Sequence, residues 1–217
     1  MSVIDLAFRD LLEYGTIPQG ITHLAGPPNS GKTTLLYQTC RGLKGKKALF
    51  FDCEINFSAQ RLMEVNLNYK VELKNITVIS LFNKSQQIKT LMKVHNFISN
   101  TDYTFIAING ITNHFRFRSS NINEISIYKL LTLQMAYLNM ISKEYQIPIL
   151  ITNQVTAFRE KDKRAIRPVA NSAIMNYSDR EIRLKHVNKK LWKAQQEEEE
   201  IFYKITNDGL ETIKSRY

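Results

Sequence analysis

A chain of 217 residues with 43% hydrophobic content can bury one sizeable core, and 30 Lys+Arg against 20 Asp+Glu give a formal charge of +10, which favours a polyanionic partner such as nucleic acid or an acidic membrane surface. The two cysteines, Cys40 and Cys53, are too few for a disulfide framework or a zinc site and fit a reducing cytoplasm. No apolar run reaches the roughly 20 residues of a membrane helix, and the N-terminal MSVIDLAFRDLLEYG is acidic and amphipathic rather than a signal peptide.

The resulting expectation is one cytoplasmic domain over residues 1–217 with no membrane partner. Residues 1–15 are read as an amphipathic helix packed on the core. Beyond them, short apolar runs alternate with longer segments of helical period, the pattern of parallel strands joined by crossover helices. The predicted strands are 21–26, 47–54, 76–82, 103–109 and 147–154. Between them the segments 31–44, 58–69, 85–100 and 124–145 place apolar residues three and four apart and read as helices. After a basic irregular stretch, DREIRLKHV (179–187) and EIFYKITNDGLETI (200–213) read as antiparallel strands at the sheet edge, with NDG as a turn. The run Glu197 to Glu200 reads as a solvated loop or helix end. Trp192, the only tryptophan, reads as core, with a partner anchor as the alternative.

GPPNSGKT, from Gly26 through Pro27, Pro28, Asn29, Ser30, Gly31 and Lys32 to Thr33, satisfies G-x-x-x-x-G-K-[ST], follows an apolar strand and opens a helix at Thr34. Backbone N–H groups of such a loop point at nucleotide phosphates. Lys32 supplies a point charge and the Thr33 hydroxyl a ligand for Mg²⁺. The second strand ends in FFDCE, which puts Glu54 at the carboxyl edge where ligands of such sheets bind and where it can polarise a water. Alternatively, Asp52 and Glu54 cap the following helix. TFIAINGITNHFR (104–116) has Asn109 where an apolar strand of this kind ordinarily presents a metal-side aspartate, and Asn-Gly admits a rival reading as a hairpin turn.

FFDCEINFSAQRL resembles the strand and helix start of the RecA/RadA-type recombinases. NGITNHFR is similar to their DSLTSHFR, ITNQV to their VTNQV, and FYKITNDGLE to their FRITEEGI. The segments occur in the family's order from about residue 15 to residue 212 and resemble its archaeal and eukaryotic branch. With about fifteen residues before the core, no separate helix-hairpin-helix domain is expected, and the resemblance is to a short accessory paralogue of that branch.

The resemblance implies an α/β fold: a RecA-like P-loop core with a mostly parallel central sheet flanked by helices and antiparallel strands at the C-terminal edge. It implies ATP and Mg²⁺ as cofactors, Glu54 as catalytic glutamate, Arg61 stacked on adenine, and Gln154 as γ-phosphate sensor. Asn109 aligns with the Walker B aspartate. Losing a full charge about 5 Å from a divalent ion removes on the order of several kcal/mol at an effective dielectric near 20, so weak hydrolysis is expected.

Two basic stretches match the family's DNA-binding loops. HFRFRSSNINE (114–124) carries Arg116, Phe117 and Arg118; TAFREKDKRAIRP (156–168) carries Phe158, Arg159, Lys161, Lys163, Arg164 and Arg167. Cationic grooves with aromatic stackers hold nucleic acid without sequence preference. The second stretch lacks the family's glycine pair, and NKKLWKAQQEEEEIFYK stands where relatives carry a proline-containing cap on a neighbour's nucleotide. The expected function is an ATP- and DNA-binding accessory protein in homologous recombination and repair, partnered by DNA and by a principal RadA-type recombinase or another paralogue. A self-sufficient DNA-dependent ATPase or strand-exchange protein, and a nucleotide-binding scaffold that only docks partners, are the alternatives.

Overall fold

The computed structural model describes residues 7–13, 15–115, 124–154 and 169–213. Among the described residues nine strands form one sheet in the order β3-β2-β4-β5-β1-β6-β7-β8-β9. They are β1 (Ile21–Gly26), β2 (Lys47–Asp52), β3 (Ile76–Ser80), β4 (Tyr103–Asn109), β5 (Ile149–Gln154), β6 (Arg180–Asn188), β7 (Leu191–Gln196), β8 (Glu199–Thr206) and β9 (Gly209–Thr212). The helices are α1 (Ala7–Glu13), α2 (Lys32–Gln38), α3 (Ala59–Val65), α4 (Lys84–Leu91), α5 (Val94–Ile98), α6 (Glu124–Tyr145) and α7 (Val169–Met175).

The central strands β1, β2, β4 and β5 are buried along nearly their whole length because both sheet faces are covered there. Leu24, Phe50, Ala107 and Leu150 turn to one face with Phe8 and Leu11 of α1, Leu35 and Leu36 of α2, and Leu62 of α3. Their alternating neighbours Ile21, Phe51, Ile108 and Ile151 turn to the other, against Leu91 of α4, Ile98 of α5, Met135 of α6 and Ile174 of α7. The period of two in each strand thus assigns its residues to two cores. Phe8 and Leu11 are fully buried, so the part of the N-terminal helix described here does pack on the core; residues 1–6 lie outside the described residues. Cys40 and Cys53 are buried free thiols.

Several sequence expectations are corrected. Strand β2 stops at Asp52 and β3 at Ser80, while β5 starts at Ile149. The segment read as one helix over 85–100 is two, because α4 ends at Leu91 and a new helix starts at Val94. Helix α3 ends at Val65, where Asn66 Nδ2 donates back to the carbonyls of Tyr37 and Leu62. The segment 31–44 is α2 followed by a 3₁₀ stretch, Thr39–Leu43.

At the far edge, β6 runs parallel to β1 and only its other side is antiparallel. β7 was not anticipated; Trp192 lies on it, packed against the core and edge-on to His186 at 4.9 Å. The glutamate run is no helix end: Glu197 starts the turn at φ 54° and Glu199 and Glu200 begin β8. Asn207 and Asp208 make the expected turn into β9. The Asn109-Gly110 hairpin reading fails, since β4 pairs in parallel with both β2 and β5.

Candidate nucleotide-binding site

Strand β1 delivers Gly26 directly beside Gln154 at the end of β5, and the chain then wraps through Pro27–Ser30 into α2. Asn29 (φ 62°) and Gly31 (φ 86°) make the loop's left-handed turns. A Cβ on Gly31 would come within 2.5 Å of Leu210, so this glycine also admits the β8–β9 hairpin against the loop. From the same hairpin the Tyr203 hydroxyl donates to the Ser30 carbonyl at 2.8 Å, and Gln38 exchanges hydrogen bonds with both backbone groups of Leu210. Burial pushes the Tyr203 phenol up, keeping it a donor. Lys32 is buried, and its ammonium donates to the carbonyls of Gly26 (2.9 Å) and Pro27 (2.7 Å).

Next to the loop lies a polar network that begins at Asp52. Its carboxylate, 3% exposed, accepts the N–H groups of Glu54 (3.1 Å), Asn56 (2.8 Å) and Phe57 (2.7 Å) and the Nδ2 of Asn109 (3.2 Å). Asp52 therefore shapes the turn that carries Glu54, while the N-cap of α3 is Ser58. Asn109 reaches Asn56 Oδ1 at 2.9 Å, accepts the Thr152 hydroxyl at 3.0 Å, and lies 3.4 Å from the Thr33 hydroxyl. Gly110 (φ 72°) lies under Glu54: a Cβ there would stand 2.4 Å from Glu54 Cγ. The Asn-Gly pair thus serves the fit of Glu54 instead of a hairpin.

Ile55, between Glu54 and Asn56, adopts φ 56° and is 46% exposed. A β-branched residue there costs on the order of 1–3 kcal/mol. Ile55→Gly, which relieves that strain and loses little burial, is expected to raise stability by about 1 kcal/mol after the entropy cost of glycine. Urea denaturation measures this, and an unchanged or lower midpoint would show that the turn stores no such strain.

Pro28, Asn29, Gly31, Lys32, Thr33, Thr34, Glu54, Asn56, Gln154 and Ile205 line a single cleft of about 410 Å³. The sequence-assigned loop residues, Glu54 and Gln154 come together there, and Asn109 lies just beneath through Thr33. Arg61 does not line this cleft; its guanidinium donates to Glu64 and to the carbonyls of Thr206 and Asn207 in the β8–β9 turn. Sequence reasoning missed Asn56, Thr152 and Ile205. Asn56 and Thr152 each stand two residues from a motif residue, and Ile205 lies within the FYKITNDGLE segment with no role assigned to it.

The donor set suits a hard cation held mainly by a nucleotide. The Thr33 hydroxyl and the Asn109 amide oxygen are the oxygens at hand, and among the described residues no cluster of three or more His, Cys, Asp or Glu side chains forms a metal cage. Mg²⁺ takes few protein ligands and completes its octahedron with phosphates and water, so these residues fit it. All nine residues assigned to DNA, Arg116, Phe117, Arg118, Phe158, Arg159, Lys161, Lys163, Arg164 and Arg167, lie outside the described residues. Their stretches follow the adjacent strands β4 and β5. A second cleft of about 340 Å³ beside β6 has charges that already pair, Arg183 with Glu181 and Asp179 with the Ile21 N–H. No described helix is long and apolar enough to cross a membrane.

A phosphate-loop strand–turn–helix at the carboxyl edge of a parallel sheet, with an acidic turn and a glutamine at neighbouring strand ends, defines an α/β nucleotide-binding core of the RecA type. The chain belongs to the Rad51 family, whose model matches residues 6–213. It is similar to the DNA repair and recombination protein RadB of Thermococcus sibiricus, 28% identical over 94% of this chain and 92% of that protein. The RadB protein of Methanosphaera stadtmanae is 28% identical over 78% of this chain and 74% of its own length. The DNA repair protein RAD51 homolog 1 of Arabidopsis thaliana matches 68% of this chain and 47% of its own length at 28% identity.

Proposed function

We propose that this protein is a recombinase paralogue acting in DNA repair and recombination, which binds ATP in the Lys32 cleft, hydrolyses it slowly, and binds DNA non-specifically through the stretches 114–124 and 156–168. The observation that carries the reading is the convergence of Lys32, Thr33, Glu54 and Gln154 on one cleft in a Rad51-family chain. The printed names of its relatives, DNA repair and recombination proteins, support the biological role.

The residues divide the work. Loop amides and Lys32 hold the triphosphate, and Thr33 with Asn109 would hold Mg²⁺, which supplies charge neutralisation of the phosphates when bound. Glu54 polarises the attacking water. Asn109, an amide where a carboxylate would add a full charge, leaves binding intact and weakens turnover. Gln154, beside Gly26 and at the start of the second basic stretch, links the γ-phosphate to DNA. The chain works beside a principal recombinase of the RadA type or another paralogue.

The test is DNA binding across a salt series with and without ATP. Neutralising about five phosphates predicts a fall of roughly 10²- to 10³-fold between about 50 and 200 mM salt, and the Gln154 link predicts that ATP changes the affinity. A flat slope would remove DNA from the function.

A further inference from the structure

We propose that Asn109 is an amide relay in its own right and that Asn56 is the positioning residue through which it holds Glu54; the inference rests on the reading of Glu54 as the water-polarising carboxylate. The direction of every bond in the network follows from groups whose roles are fixed. The Gly110 N–H can only donate, and it donates to the Thr152 hydroxyl oxygen at 2.8 Å. The Asp52 carboxylate has no hydrogen to give, so the Asn109 amide turns Nδ2 to it and Oδ1 towards Thr152, whose hydroxyl hydrogen it takes at 3.0 Å. That orients the Asn109 amide, and its two Nδ2 hydrogens face Asp52 Oδ1 and Asn56 Oδ1 at 3.2 and 2.9 Å. With its oxygen taken, Asn56 must present Nδ2 to the next acceptor, and it does so to Glu54 Oε2 at 3.1 Å. An amide has two donors and an ionised carboxylate has none, so this polarity is available only with asparagine at 109.

The consequence runs against simple repair of the motif. In Asn109→Asp, a carboxylate would face the buried Asp52 carboxylate at hydrogen-bond distance with no hydrogen between them, and like charges so close oppose joint ionisation. Asn56 would find an acceptor where its own oxygen now points, and its amide would turn Nδ2 away from Glu54. In this chain the charge that a carboxylate would add opposite Mg²⁺ is outweighed by the loss of Glu54's positioning, and restoring an aspartate is expected to lower turnover.

The full chain, with Asn-selective ¹⁵N labelling, provides two readouts for the variants Asn56→Ala, Asn56→Asp, Asn109→Asp and Glu54→Gln. Under excess protein, single-turnover cleavage of ATP·Mg falls about ten-fold in both Asn56 variants while calorimetric ATP affinity stays within about three-fold, as for loss of orientation alone. Neither Asn56 change lowers the rate further in a Glu54→Gln background, whereas a merely structural role would add. The Asn56 side-chain amide resonance moves in both Glu54→Gln and Asn109→Asp. Unchanged turnover in the Asn56 variants, a faster Asn109→Asp protein, or an Asn56 resonance indifferent to both changes overturns the relay. If the parent cleaves no ATP, hydrolysis leaves the proposed function, and the resonances alone decide the relay, by movement in both variants or by its absence.

Discussion

Lys32→Met is expected to weaken ATP·Mg binding by about 10²- to 10³-fold, since a charge-assisted hydrogen bond contributes about 1.5–3 kcal/mol and one or two are lost. Methionine keeps the length and apolar stem of the side chain, so the change isolates the ammonium. Before nucleotide arrives, that ammonium closes the loop on itself through the Gly26 and Pro27 carbonyls. Binding must turn it outward to the phosphates, which releases the two carbonyls. The loop's shape does not depend on the lysine alone: Tyr203 holds the Ser30 carbonyl and Leu210 packs on Gly31. The variant should therefore unfold at nearly the parent temperature while losing its calorimetric signal with ATP. An affinity within three-fold of the parent would mean that the triphosphate is not seated on this loop.

His23 sets the second large effect, on stability as a function of pH. It sits on β1 between β5 and β6, fully buried, with neither ring nitrogen hydrogen-bonded. Burial, and then the Arg183 guanidinium, push its pKa down to about 3. Glu181 lies 3.7 Å from Nδ1, but its carboxylate is engaged by Arg183, and the ring stays neutral, so the contact is not an ion pair.

In the unfolded chain His23 takes up a proton near its ordinary value of 6.5, while the folded chain binds it only near 3. The unfolded state therefore holds more protons between these values. The stability His23 confers is complete above pH 6.5 and is lost as the pH falls towards 3. At pH 5 the loss amounts to about 2 kcal/mol. Urea midpoints of the parent and of His23→Leu, which fills similar volume without titrating, should differ by about that much more at pH 5 than at pH 7 in the parent's disfavour. Parallel pH profiles for the two proteins would refute the assignment.

How far the sequence reaches can be seen residue by residue. The strands β1, β2, β4 and β5 and the phosphate loop are legible because a strand covered on both faces is largely apolar and the loop's glycines and Lys32 occur at fixed spacing. Strand β7, which mixes Lys193, Gln195 and Gln196 with Trp192 and Ala194, carries a half-exposed pattern that the neighbouring charge obscured. The helix break at Met92 and Lys93 has no glycine or proline to announce it.

Local chemistry, carried in the order of residues, determined the family, the phosphate-binding loop, the position of Glu54 and the absence of a carboxylate at 109. Only the tertiary structure decided which groups Asn109 faces, that Asn56 stands between it and Glu54, that Arg61 is fastened to the β8–β9 turn, and that Tyr203 braces a loop 173 residues away in sequence. The physical reason is that a hydrogen bond is specified by distance and direction between groups brought together by different strands. Neither quantity is encoded in the spacing of residues along one of them.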